Sequence, residues 1–383
     1  MNSKQQLKVA IIGAGAAGFF AAINCKENHP EAKVRIFEKT KKYLTKVSIS
    51  GGGRCNVCNA ETSISNLSKA YPRGGKKLKK LFKEFSTKET MDWFRKRGVR
   101  LYTQDDQRVF PTSDDSQTII DCFMKEVRKK GIQLNLGQDV IAINKTEKGL
   151  KLQFKKNKSE FFDKVIIASG GSPKRSGLEW LEKMGHEIVD PVPSLFTFNM
   201  PKESIKELMG VVAPNAKVKI VGSKLESEGP LLITHWGMSG PAVLRLSAFG
   251  ARILGEKQYT FEVLVNWVNV KAQEEIQEML LQITKDFPNK MLQNKKPYPL
   301  PERLWLYLLE RIELPLDRKW SELGKKGRNK MVNILSHDVY KVKGKTTFKE
   351  EFVTCGGIDL NSVNIQSMES KYIEGLYLSL IHI

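Results

Sequence analysis

The chain has 383 residues, 40% of them hydrophobic, with 63 Lys and Arg against 42 Asp and Glu, a net charge of +21. That length exceeds one ordinary core and predicts about two domains, and the apolar content suffices to build them, which excludes a disordered chain. Five cysteines, at 25, 55, 58, 122 and 355, are few and odd in number, which fits a reducing compartment rather than a disulfide framework.

No apolar run approaches the roughly 20 residues a membrane span needs, and the stretch from Val9 to Ile23 lacks the cleavage-like exit of a signal peptide. The expectation is a cytoplasmic protein without a membrane partner. The lysine runs at 39–46, 76–83, 125–130 and 341–349 attract polyanions non-specifically, but they fall on helix faces and loops and read as solvated surface. A small-molecule substrate is expected and no specific nucleic acid.

The first element carries the most information. V-A-I-I-G-A-G-A-A-G over 9–18 is a short apolar strand running into glycines at 13, 15 and 18, and Glu38 closes the next apolar stretch, V-R-I-F-E. Gly13 permits the tight strand-to-helix turn, Gly15 lacks the Cβ that would hold a pyrophosphate off the backbone, and Gly18 lets the helix pack on its strand. The anion then meets unpaired amides at the helix N-terminus, and the carboxylate of Glu38 accepts from ribose hydroxyls. This spacing predicts a bound adenine dinucleotide; alone it does not separate NAD from FAD.

A helix is expected over 17–26 and a strand over 34–38, then the unusual loop S-G-G-G-R-C-N-V-C-N at 50–59. Two helices follow: one with apolar residues at 78, 81, 82 and 85, and one opened by the capping box Ser86/Glu89 and closed before Gly98. An extended stretch over 99–102, a turn at Arg108–Pro111 and a helix from Asp114 to Lys130 come next. From 132 to 171 the pattern turns to short strands, with a β-meander between two strands of a parallel sheet, and K-V-I-I-A-S-G-G ends in Ser169-Gly170-Gly171, small residues at the carboxyl edge where nucleotides lie.

Composition shifts near Pro191. Alternating segments (A-K-V-K-I-V, Y-T-F-E-V-L-V) mix with helices over 273–283, 304–312 and 320–335, which reads as an inserted domain, after which 352–360 and 368–378 return to the first one. The fold class is therefore α/β: a Rossmann-like domain over 1–190 plus 350–383, with an inserted mixed β/α domain over 191–349.

Val9–Gly18, S-G-G-G-R-C-N, A-S-G-G at 168–171, T-H-W-G-M-S-G-P-A-V-L at 234–244 and T-C-G-G-I with M-E-S-K together resemble the bacterial BaiN/YhiN-type flavoproteins. These are NAD(P)/FAD-dependent oxidoreductases also called aminoacetone-oxidase-like, and the likeness runs through the chain in order. It implies an FAD-binding domain of the two-dinucleotide-binding-domain flavoprotein type, an insert covering the flavin, and redox chemistry on a small or medium-sized organic substrate with NAD(P)H or oxygen as electron partner. It further implies that Gly13, Gly15 and Gly18 hold the pyrophosphate and that Glu38, followed by Lys39, binds the ribose. Gly52, Gly53 and Arg54 would approach phosphates or flavin, Val140 would meet the adenine as the second residue of its strand, and Ser169, Gly170, Gly171, Gly356 and Gly357 would approach through backbone.

Three features invite other mechanisms. Cys55-Asn-Val-Cys58 is a C-x-x-C whose spacing permits a disulfide or a lowered thiolate pKa, although the family usually has threonine at the second position; no second pair exists to complete a zinc site, and no metal is expected. His235, at the end of L-L-I-T and before a turn where Pro241 opens a helix, could donate a proton beside a flavin, or pack with Trp236 under the turn. The ending Ser379-Leu-Ile-His-Ile383 stands where family members continue into a strand and a last helix, so the resemblance implies a chain truncated there and a weakened FAD site. A flavin-dependent protein that modifies tRNA or another nucleic acid, and a non-catalytic nucleotide-binding fragment, are the alternatives that charge and ending respectively raise.

Overall fold

In the computed structural model, residues 6–346 and 353–379 are described. Phe352 and the last four residues of the chain's ending, His382 among them, lie outside them. The chain divides into two compact units, 1–191 with 356–383, and 192–355.

The first unit is organised by five parallel strands: β1 (Lys8–Ile12), β2 (Lys33–Glu38), β3 (Gln133–Leu136), β4 (Lys164–Ile167) and β5 (Leu376–Leu378). Their order is β5-β4-β1-β2-β3, extended beyond β5 by two short antiparallel strands, Val363–Asn364 and Glu369–Ser370. β1 is central and buried on both sides, which is why it reads as a continuous apolar run. Its alternate residues serve two cores. Val9 and Ile11 pack with Phe19 and Ile23 of α1 (Ala16–Asn28), whereas Ala10 and Ile12 pack with Phe37 and the meander residues Leu150, Leu152 and Phe162.

The chain runs from β1 outward through β2 to β3, then returns to place β4 on the other side of β1. The reversal of direction lies between β1 and β4, and the carboxyl ends there form the crevice in which open α/β sheets bind ligands.

Several local expectations are corrected. Arg108–Pro111 is a strand, not a turn: it is the middle of a three-stranded antiparallel sheet with Cys58–Asn59 and Leu101–Thr103. Its Val109 and Phe110 are fully buried, and Pro111 stands at the strand's end, where a missing N–H costs little. The meander has three strands, Val140–Thr146, Gly149–Phe154 and Ser159–Phe162, and Val140 is the first residue of its strand rather than the second. The helix expected from Asp114 begins at Gln117, because Asp114 takes a left-handed conformation (φ 50°) that a helix does not admit.

The second unit is built on a seven-stranded sheet, in the order Asp338–Lys343, Thr260–Asn266, Val212–Ile220, Glu226–Ile233, Gly237–Ser239, Thr197–Asn199 and Lys345–Thr346. The segment expected as one helix over 320–335 is a single 3₁₀ turn, Trp320–Glu322, followed by the helix Gly324–Ser336. Trp267, Trp305 and Trp320 are fully buried in this core, each with its indole N–H donated: to Asp338 Oδ2 (3.0 Å), Leu292 O (2.8 Å) and Lys295 O (3.3 Å). Among the described residues no helix is long and apolar enough to cross a membrane.

Candidate dinucleotide site

The turn between β1 and α1 is held from three directions. The Gly13 amide donates to Phe37 O (2.8 Å), the Ala168 amide to Ile12 O (2.8 Å) and the Leu44 amide to Ala14 O (2.8 Å). Gly13 has φ 109°, and a Cβ on it would lie 2.4 Å from Ala168 O and 2.8 Å from Ser169 Cα. A Cβ on Gly18 would lie 2.0 Å from Gly13 O. These two glycines are therefore required by packing.

Gly15 is different. It is the exposed N-cap of α1, carries no side-chain cap, and a Cβ there would meet nothing within 4 Å. The space beside it is open, and the first amides of α1 face it without a capping side chain, which is the arrangement a helix N-terminus offers to a pyrophosphate.

Glu38, at the carboxyl end of β2, accepts from the Ala14 amide (3.0 Å) and from both the amide and the hydroxyl of Thr40 (2.9 Å each). One carboxylate thus ties the end of β2 to the glycine turn and keeps lone pairs for a ligand. Lys39 beside it is exposed. The Gln138 amide donates to Glu38 O (2.8 Å) and the Gly137 amide to Thr40 O (2.9 Å), so the segment leading into Val140 is laid along Glu38. On the other side of β1, Ser169, Gly170 and Gly171 follow β4 directly; Gly170 has φ 79° and open space where a Cβ would stand. The structure therefore gathers Gly13, Gly15, Glu38 and Ser169–Gly171 along the carboxyl edge of one sheet, with Val140 opening the separate meander sheet two residues after Gln138.

The S-G-G-G-R-C-N loop follows the short helix Thr45–Ile49. Gly51, Gly52 and Gly53 all have positive φ; Gly52 and Gly53 face open space, while Gly51 lies against Phe110, whose ring would be 2.7 Å from a Cβ. Ser116 fixes the loop by donating its amide to Gly53 O (2.8 Å) and its hydroxyl to Ser48 O (2.9 Å). Arg54 lies with its guanidinium 4.3 Å over the Phe110 ring, its Nε donating to Gly51 O (3.2 Å) and its terminal nitrogen 3.8 Å from Asp114. Thr40, Ser116 and Phe110 were not singled out from sequence. Thr40 carried a usable signal, a hydroxyl two residues past the acid; the other two act from distant parts of the chain.

Cys55 and Cys58 are free thiols. Burial pushes the Cys55 thiol up, opposed by a hydrogen bond with Ser50, and pushes Cys58 up to about 11. The expectation of a lowered thiolate pKa is corrected: desolvation outweighs the hydrogen bond with Ser50 at Cys55 and the attraction of Arg95 at Cys58. Among the described residues no group of three or more His, Cys, Asp or Glu converges to hold a metal ion.

Gly356 and Gly357, with φ 116° and 133°, lie in the strand Val353–Ile358. His235 belongs to the second unit. Its ring lies 4.7 Å from that of Trp236, beside an open pocket of about 610 Å³, and among the described residues no side chain hydrogen-bonds it. The turn after it is as expected from its sequence, with Gly240 (φ 88°) as N-cap and Pro241 as the first helical residue.

A glycine turn between parallel strands, with an acid at the end of the second and small residues at the end of the strand beyond, defines a dinucleotide-binding Rossmann fold of the flavoprotein type. The chain belongs to the HI0933-like protein Rossmann domain family, whose model matches residues 7–379, and it is a flavoprotein oxidoreductase. It is 26% identical over 382 residues to the ribosomal RNA dihydrouridine synthase of Escherichia coli, covering 97% of this chain and 90% of that one. It is 25% identical over 380 residues to the 3-dehydro-bile acid delta(4,6)-reductase of Clostridium scindens, covering 97% and 91%. A ribosomal RNA dihydrouridine synthase of Haemophilus influenzae is likewise 25% identical, with 96% and 90% covered.

Proposed function

We propose that this chain is an FAD-dependent reductase of an organic substrate whose carbon–carbon double bond is conjugated to a carbonyl, with NAD(P)H as electron donor. The observation that carries the cofactor is the open space at Gly15, bounded by unpaired amides of α1 and with Glu38 held beside the same turn. Glycines packed against backbone at 13 and 18 but facing open space at 15, 52, 53 and 170 fit a long phosphate-bearing ligand laid along the sheet edge.

The substrate class is supported by the names of the relatives, since both dihydrouridine synthase and delta(4,6)-reductase denote saturation of a ring double bond. When bound, the flavin supplies the hydride; the double bond gains that hydride and one proton, and NAD(P)H loses the matching pair of electrons. In this chain Gly13, Gly15 and Gly18 shape the pyrophosphate turn and Glu38 reads the ribose. Gly52, Gly53 and Arg54 face the remainder of the ligand, where a guanidinium offsets negative charge. The thiols Cys55 and Cys58 take no part in this scheme.

The test is anaerobic. The FAD-loaded protein is bleached with NADH or NADPH, then mixed with an α,β-unsaturated ketone or with uridine. Return of the flavin colour with formation of the saturated product supports the reading. Colour that returns only on admitting oxygen would assign an oxidase instead.

A further inference from the structure

The glycine loop after the helix Thr45–Ile49 is hard to hold in one conformation. Gly51, Gly52, Gly53 and Cys55 have φ of 61°, 71°, 86° and 61°, and glycines released from such a state spread over many others. The loop's own backbone bonds, Gly53 N–H to Ile49 O (3.2 Å) and Cys55 N–H to Ser50 O (2.9 Å), join near neighbours and leave its place in the unit to outside contacts. Ser116, 6% exposed, spans it from outside: its amide donates to Gly53 O and its hydroxyl to Ser48 O.

That hydroxyl is diverted from its ordinary task. Ser116 immediately precedes the helix Gln117–Lys129, where a serine usually caps the first amides, yet its side chain makes no cap bond. Asp115 takes the task over, its Oδ1 accepting from the Gln117 amide (2.8 Å). Asp114, at a φ of 50°, accepts from the Tyr102 hydroxyl (2.6 Å) and lies 3.8 Å from Arg54. Residues 114–116 thus meet the loop at Ser48, Gly53 and Arg54 while the helix behind them is capped by the middle one.

We infer that Ser116 is a positioning residue for the isoalloxazine half of the ligand, holding the glycine loop in its binding conformation before the ligand arrives. This role rests on the proposed FAD site, in which Gly52, Gly53 and Arg54 face the part of the ligand beyond the pyrophosphate. Apparent affinity falls by the fraction of protein in the competent state. A loosened loop therefore weakens every ligand that carries an isoalloxazine by one common factor, whereas damage at Glu38 acts through the adenosine half alone.

The experiment titrates FAD and FMN into the apoproteins of wild type, S116A, S116T and T87V, and follows hydrogen exchange of peptides spanning 50–55 in the same apoproteins. Thr87 is the control: it is 7% exposed, and its hydroxyl donates to Glu61 O (2.7 Å) rather than to the glycine loop. S116A is expected to weaken both flavins alike, by about tenfold as the competent fraction falls to about a tenth, and to speed exchange at 50–55 by a similar factor. S116T, which keeps the hydroxyl, should stay within about threefold of wild type in both measurements. T87V should melt lower and leave both within about twofold.

Unaltered exchange at 50–55 in S116A would overturn the role of Ser116 alone. Loss of FAD binding with FMN unchanged would overturn it by assigning the loop to the adenosine half, and equal losses in T87V would do so by showing a general loosening. Faster exchange in S116A beside a wild-type chain that binds neither flavin would overturn the cofactor reading and, with it, the flavin role given to Ser116.

Discussion

Alanine at Gly13 and alanine at Gly15 are the same chemical change two residues apart, yet their consequences should be opposite. At Gly13 the new Cβ would overlap Ala168 O at 2.4 Å and Ala168 C at 2.7 Å, at a φ of 109° that L residues avoid. The obstacle is backbone, which cannot swing aside. Strain of about 1–3 kcal/mol for the dihedral alone, with the overlap added, gives roughly 3 kcal/mol or more. For a unit of this size each kcal/mol lowers the melting temperature by about 2–4 °C, so G13A should melt about 6–12 °C below wild type.

At Gly15 the φ of −89° suits any residue and the Cβ meets nothing. Only the poorer capping of alanine is lost, about 0.5–1 kcal/mol. A pyrophosphate lying in that space would be pushed off the α1 amides, however, at about 2 kcal/mol for weakened charged hydrogen bonds, or roughly 30-fold in affinity. Differential scanning fluorimetry of the apoprotein and fluorescence titration with FAD measure the two effects separately. G15A binding FAD as wild type does, or G13A melting as high as G15A, would refute the reasoning.

Three other outcomes are expected. E38A removes the acceptor for the Ala14 amide and for Thr40, and should cost about 1–2 kcal/mol in urea unfolding while weakening FAD more than FMN. The Cys55 and Cys58 thiols should react slowly with iodoacetamide at neutral pH, the Cys58 rate climbing about tenfold per pH unit toward about 11, and C55S/C58S should leave flavin reduction intact; rapid neutral alkylation would mean a stabilised thiolate. In the second unit Asp338 is buried, pushed up by that burial, and accepts from Trp267 and Tyr340 while pairing with Arg311 Nε at 3.0 Å. R311M strands the carboxylate and should cost about 3 kcal/mol near neutral pH. Because the folded-state value is raised, the acid's contribution is complete below its unfolded value and is lost as pH rises through the folded one, so the deficit should shrink in acid. A deficit independent of pH would show that lost packing dominates.

The adenosine half of the site was legible because its constraints are local: a strand, glycines at fixed offsets and an acid one strand later each act through their own backbone. Its neighbours were not. Arg108–Pro111 reads as a turn by composition, and only pairing with two very short strands, the adjacent hairpin arm Leu101–Thr103 and the distant Cys58–Asn59, makes it a strand. The resting place of Arg54 over Phe110 depends on that same strand. The third strand of the meander, Ser159–Phe162, follows three polar turn residues and shows one buried aromatic, too little for a period of two to register. The direction of the thiol shifts follows from burial, which C-x-x-C spacing does not encode.

Parallel titration of the apoprotein with FAD and FMN tests most directly whether the glycine turn and Glu38 read the dinucleotide. FMN presents the same isoalloxazine without the adenosine half and the pyrophosphate. The expected result is FAD bound at least about a hundredfold more tightly than FMN, the preference falling about tenfold or more in each of G15A and E38A, since each removes one of two charged contacts of about 1.5–2 kcal/mol. Equal affinity for the two flavins, or a preference unaltered in both variants, would contradict the placement of the cofactor along this sheet edge.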